Sequence, residues 1–297
     1  MSRPNARREK GFGLLVFVMI ITVLAFSLIL GYSGVLAKKH ANDVRSVQER
    51  HVAESATRLE AFYRLHAYEL DHDSMSSPVS AELLGKAAGI TKAHQMELWL
   101  SGLLTNPEGL TYRKVALWMP SDSDMTGNSP DFGLFSSTGE FVSCSDASRT
   151  CSDRVFSVVS SEAIQRELMA ETRARLQKIA YKAQAYFKAR LLQDPERNIS
   201  TNYFRPTGNV CPGLERDIKC FDTYGPLAEI GMDGKPVPSD TAVLLGLTDE
   251  ELVSAWGMPI ELSNLQDSVT DDVPFTMVLR TLMPNGQFIQ LTVTQPL

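Results

Sequence analysis

This 297-residue chain has no excess of positive charge: 29 Lys and Arg stand against 35 Asp and Glu, a formal balance of −6. With no basic surface to neutralise phosphates, nucleic acid is excluded as an expected partner. Histidine is scarce. The five histidines, His40, His51, His66, His72 and His94, lie in the first third and none forms a His-Glu-x-x-His pattern, which removes the commonest helical zinc site. A Gly-x-Ser-x-Gly elbow, a phosphate loop and a dinucleotide fingerprint are all missing, so no catalysis and no cofactor are expected.

Cysteine is used sparingly but in pairs: Cys144 with Cys151 in "CSDASRTC", and Cys211 with Cys220 in "CPGLERDIKC". Neither spacing makes a Cys-x-x-Cys knuckle, so zinc is disfavoured and no metal is expected there. Each pair closes a small loop, which predicts two disulfides and an oxidising compartment.

Charge is also missing locally. From Phe12 to Ala37 there is no charged residue, and as a helix this run extends roughly 39 Å, more than the ~30 Å of a hydrocarbon core. Arg3, Arg7, Arg8 and Lys10 precede it against Glu9 alone, which predicts a single-pass membrane protein with a cytoplasmic N-terminus and its bulk outside the cytoplasm. The run exceeds the 7–15 apolar residues or so of a cleaved secretory signal. An uncut anchor carrying a periplasmic sensor or binding domain fits the same physics.

The segment "EKGFGLLVFVMIITVLAF" resembles the type IV prepilins and the pseudopilins of type II secretion: a short basic leader ends in Gly, and Phe opens an unbroken apolar helix. The resemblance implies cleavage between Gly11 and Phe12 by a prepilin peptidase, methylation of Phe12, and assembly with other pilins or pseudopilins on an inner-membrane platform. Family members carry Glu at the fifth residue after the cut, where this chain has Val16. That departure suits a minor subunit better than a bulk one. A second, looser likeness lies in "ETRARLQKIAYKAQAYF", Cys211-Pro212 and Trp256-Gly257-Met258-Pro259, arranged as in pseudopilin-like domains. The implied fold is α+β, with a long membrane-spanning and amphipathic helix packed on an antiparallel sheet. The corresponding division is 1–11 leader, 12–37 transmembrane helix, 38–72 amphipathic continuation, 73–160 an inserted α+β segment, and 161–297 a pilin-like globular domain.

Periodicity fills in the rest. Val44, Val47, Val52, Leu59, Phe62, Tyr63 and Leu70 recur near one helical face, predicting that the membrane helix runs outward until "DHDSMSSP" breaks it. A second helix is expected over "SAELLGKAAGITKAHQMELWLSGLL", then strands at "KVALWM", "FGLFSS" and "EFVSC", with "STGE" turning between the last two. Ile164, Leu168, Leu176, Ile179, Ala183, Tyr186 and Phe187 predict a long helix capped by Ser160 or Ser161 and ended by Asp194-Pro195. A closing hairpin over "FTMVLRTLMPNGQFIQLTVT" turns at Pro284, Asn285 and Gly286. Two polar clusters remain. "HAYELDHD" gathers His66, Asp71, His72 and Asp73 and reads as a solvated helix end. Asp122, Asp124, Thr126, Asn128 and Asp131 begin a calcium-loop rhythm, but Gly133 stands where the loop needs Glu, so an acidic turn is expected.

Overall fold

In the computed structural model, which describes residues 6–72, 81–90, 96–119, 134–142, 155–205, 224–232, 235–264, 266 and 271–296, the apolar run and the stretch after it form one helix, α1 (Ala6–Leu65). No proline interrupts it. The hydroxyls of Thr22, Ser27 and Ser33 turn back onto carbonyls of the preceding turn, at 2.6, 2.8 and 2.9 Å, so these polar groups need no outside partner. All the large apolar side chains described from Phe17 to Leu36 are exposed, and the segment is long and apolar enough to cross a membrane. Contact with the remainder of the protein starts later, at the buried stripe Val52, Ala56, Leu59 and Tyr63. Val44 and Val47 share the expected periodicity but are 42% and 48% exposed. Their place on the covered face is therefore corrected: a repeat on one helix buries nothing unless a second element lies opposite. The chain bends at His66, and α2 (Ala67–Asp71) buries Leu70 and Asp71.

The second predicted helix is only partly right. α3 (Ala81–Ala87) forms and ends before Gly89, whose φ of +70° is the left-handed conformation that stops helices. Beyond it the described chain is extended, as β1 (Glu97–Leu100) and the short hairpin of β2 (Leu104–Thr105) with β3 (Thr111–Tyr112). The apolar run "MELWLSGLL" satisfies both periods, and pairing of β1 with β4 (Lys114–Trp118) decides between them. The expected hairpin of β5 (Leu134–Phe135) and β6 (Phe141–Val142) is present. At its turn Gly139 has φ +73°, the left-handed conformation that favours glycine, and a Cβ there would also displace the Leu104 Cδ1 methyl, 2.4 Å away. β7 (Phe156–Ser160) completes an antiparallel sheet in the order β1-β4-β7. Its residues Val115, Leu117 and Val159 meet the α1 stripe in a first core.

α4 (Glu162–Gln193) links this core to a second one. Its first turns bury Ile164, Leu168 and Met169 beside α1, whereas Leu176, Ile179, Ala183 and Phe187 lie in the second core. The strands there are β8 (Gly225–Pro226), β11 (Glu261–Ser263), β12 (Thr276–Leu282) and β13 (Phe288–Thr294), in the antiparallel order β13-β12-β11-β8. Between β8 and β11 run β9 (Ala228–Ile230) paired with β10 (Pro236–Pro238), then α5 (Asp240–Leu244) and α6 (Asp249–Leu252). The closing hairpin matches its prediction, with Phe288, Gln290 and Thr292 exposed. The protein is thus α+β, with a long apolar N-terminal helix and antiparallel sheets, each core joining a sheet to a helix.

Candidate functional site

Two buried carboxylates organise the described residues, and neither carries a motif that marks it in the sequence. The larger is at the junction of α1, α2 and α4. Its middle is Asp71, fully buried. Tyr63 on α1 donates to Oδ1 at 2.5 Å, and Gln165 on α4 donates to Oδ2 at 2.7 Å. The Ser161 hydroxyl lies 2.8 Å from Oδ2 and 3.1 Å from the Arg113 carbonyl, while accepting the Arg113 backbone N–H at 3.0 Å. The Arg113 guanidinium donates to the Leu70 and Ser101 carbonyls at 3.0 and 3.2 Å, and Thr111 donates to the Asp71 carbonyl at 3.0 Å. Gln165 also donates to the Ala67 carbonyl and accepts from the Trp256 indole at 2.7 Å. Burial pushes the Asp71 carboxyl up to about 6, because the hydrogen bonds from Tyr63, Gln165 and Ser161 and the charge of Arg113 offset only part of the desolvation. The Tyr63 hydroxyl is raised too, first by burial and then by the neighbouring Asp71 charge.

This geometry serves both protonation states. Ionised, Asp71 accepts three side-chain bonds. Protonated at Oδ2, it donates to Ser161 Oγ, whose own proton then turns to the Arg113 carbonyl. The expectation that "HAYELDHD" is a solvated helix end is therefore corrected for Asp71. Its partners come from residues 8 to 94 positions away, which local spacing does not reveal. Ser161 does precede α4, but its hydroxyl makes no cap bond; it is committed to Asp71 and Arg113. Asp71 and His72 do not form a shared cleft. His72 is tilted against Tyr68, while His66 stacks on Phe62 and its Nδ1 lies 3.2 Å from Glu69. Asp73 lies outside the described residues.

The second centre is Glu251 in α6, 2% exposed. It closes a capping box with Thr248, and Lys182 and Lys178 of α4 lie 2.6 and 2.9 Å from its two oxygens. Burial alone would raise its carboxyl. The bonds from Lys182, the Thr248 N–H and Lys178 outweigh that and bring it down to about 2. Beside it the Trp256-Gly257-Met258-Pro259 turn folds back on α4: Thr172 accepts the Ala255 N–H at 3.1 Å, and Arg175 donates to the Val253 and Ser254 carbonyls. That turn thus joins the second core to the Asp71 network through the Trp256 indole.

Among the described residues no group of three or more His, Cys, Asp or Glu side chains is arranged to hold a metal ion. Cys144, Cys151, Cys211 and Cys220, with the predicted disulfides, and the Asp122–Asp131 cluster lie outside the described residues. The backbone of Gly11 and Phe12 lies within α1. No family model, curated protein or solved structure matches the chain.

Proposed function

We propose that this chain is a minor pilin or pseudopilin-like subunit, processed at Gly11-Phe12, that helps to assemble or cap a type IV pilus or type II secretion pseudopilus. The observation that carries the reading is the divided use of α1: its Phe17–Leu36 segment has no cover among the described residues, while its last turns bury Val52, Leu59 and Tyr63 in a folded unit. So large an apolar surface needs a bilayer or like helices around it. A helix continuous from that surface into the outer domain makes the fold a mechanical extension of whatever holds the apolar half. The Asp71 network then acts as the rivet, fixing α1 and α2 to α4. In this reading the N-terminus is cytoplasmic, the outer domain is periplasmic, and prepilin peptidase, other pilins and the inner-membrane platform are the partners.

The test is to replace Gly11 with a bulky residue, Gly11→Leu, in cells with an active prepilin peptidase. The proposal expects an unprocessed precursor that is absent from purified fibres. Unchanged size and function would instead support an uncut membrane-anchored binding protein, a reading for which Val16, in place of the family's Glu, leaves room.

A further inference from the structure

Asparagine occurs nine times in the chain, and only at Asn198 does a Ser or Thr stand two residues later with a residue other than proline between them. The stretch is Glu196-Arg197-Asn198-Ile199-Ser200, an N-linked glycosylation sequon, and the acid two places before the asparagine is the further feature that bacterial oligosaccharyltransferases read. Such a tripeptide often arises by chance, so its surroundings decide whether it can react. It lies just past the C-terminal end of α4, and every residue from Pro195 to Ser200 is exposed. Asp194 holds the base of the loop: its carboxylate accepts the N–H groups of Glu196 and Asn198, at 3.1 and 3.4 Å, and the Tyr203 hydroxyl. Gln295, just after β13, donates to the Ile199 carbonyl at 2.9 Å. The Asn198 side chain uses its Oδ1, which accepts the Ser200 N–H at 2.9 Å. Among the described residues neither its Nδ2 nor the Ser200 hydroxyl makes a hydrogen bond.

We infer that Asn198 is an acceptor for an N-linked glycan, transferred outside the cytoplasm from a polyprenyl-pyrophosphate-linked oligosaccharide. In the transfer the Asn198 Nδ2 bonds to the anomeric carbon of the first sugar, and the bond from that carbon to the pyrophosphate oxygen breaks. The pyrophosphate leaves on its lipid, one Nδ2 proton is released, and no oxidant or reductant is needed. A carboxamide nitrogen is a poor nucleophile, because its lone pair is shared with the carbonyl, so a transferase must grip the chain on both sides of it. The loop permits that. Drawing residues 196–200 into an enzyme groove gives up only local turn bonds and the one from Gln295, while α4 and the strands keep theirs. None of these residues belongs to either core, so a bulky, hydrophilic glycan extends into solvent without displacing packed side chains. The inference requires the outer domain to lie beyond the membrane, as it does in the fibre reading and the uncut-anchor reading alike, and it holds whether or not the leader is cut.

The test presents the full chain in lipid nanodiscs, and separately a synthetic peptide of residues 193–203, to a purified bacterial oligosaccharyltransferase with its lipid-linked oligosaccharide; intact mass and peptide mapping give the readout. Both are expected to gain one oligosaccharide, on Asn198. Asn198→Gln and Ser200→Ala are expected to gain none, and Ser200→Thr to keep the full gain. Glu196→Gln, short of one charge-assisted contact, is expected to react about tenfold more slowly. Modification of the peptide but not of the protein overturns the inference, because the folded loop is then closed to the enzyme. Modification of neither, or of the protein at another residue, overturns it as well. The protein made in cells that hold this transferase is expected to carry the same glycan. A chain modified in nanodiscs yet bare in those cells has its loop on the cytoplasmic side, and the membrane orientation then fails together with the inference.

Discussion

Replacing Asp71 by Asn changes little in shape, but it removes the proton equilibrium that the network accommodates. In the folded protein the Asp71 carboxyl is held at about 6, against an ordinary value of 3.8. Between those values the folded state binds a proton that the unfolded state does not, so the raised value adds stability at low pH. That contribution is fully present below about pH 3.8 and is lost as pH rises through about 6. The difference between the two values corresponds to about 3 kcal/mol, which for a chain of this size is a shift of about 5–8 °C in melting temperature. The assay is thermal unfolding of full-length protein in detergent, followed by tryptophan fluorescence between pH 4 and 7.5. Trp256 reports directly, because its indole bonds to Gln165 in the network. Wild type is expected to lose several degrees more than Asp71→Asn on going from pH 4 to pH 7. Parallel melting curves for the two proteins across that range would refute the reasoning.

Asp71→Ala leaves the Tyr63, Ser161 and Gln165 donors facing no carboxylate, and is expected to cost about 3–5 kcal/mol in chemical denaturation at pH 7. Glu251→Gln loses the pairs to Lys178 and Lys182; because the Glu251 carboxyl is depressed to about 2, its contribution is present above pH 4.5 and fades as pH falls. The expected loss is about 1–2 kcal/mol at pH 7, since Lys178 is largely exposed, and almost none near pH 2, measured as the change in urea midpoint. Trp256→Phe keeps an aromatic ring but loses the second ring of the buried indole and leaves Gln165 Oε1 without its donor, an expected cost of about 2–4 kcal/mol by the same measurement.

The parts of this fold that are legible in the sequence depend on neighbours along the chain. α1, α4, the β5–β6 turn and the closing hairpin follow from spacing and from residues such as Gly139 and Gly286 that a turn requires. Glu97–Leu100 reads as helix because a short apolar run satisfies helix and strand alike until β4, 14 or more residues later, pairs with it. Val44 and Val47 show the converse: good periodicity with nothing placed opposite. The Asp71 centre is the least legible. It draws Tyr63, Arg113, and the pair Ser161 and Gln165 from three separate stretches, and an Asp with Glu69 and His72 close by in sequence looks like one that stays in water. Trp256 carries the one usable signal, since its Trp-Gly-Met-Pro turn is legible in the sequence, although nothing nearby indicates that its indole reaches Gln165.

The central claim, that the apolar helix is trimmed and then packed among like helices, is tested most directly by the intact mass of the protein recovered from cells with an active prepilin peptidase. The account predicts a chain that begins at Phe12 with a methylated N-terminus. A mass corresponding to all 297 residues would contradict it.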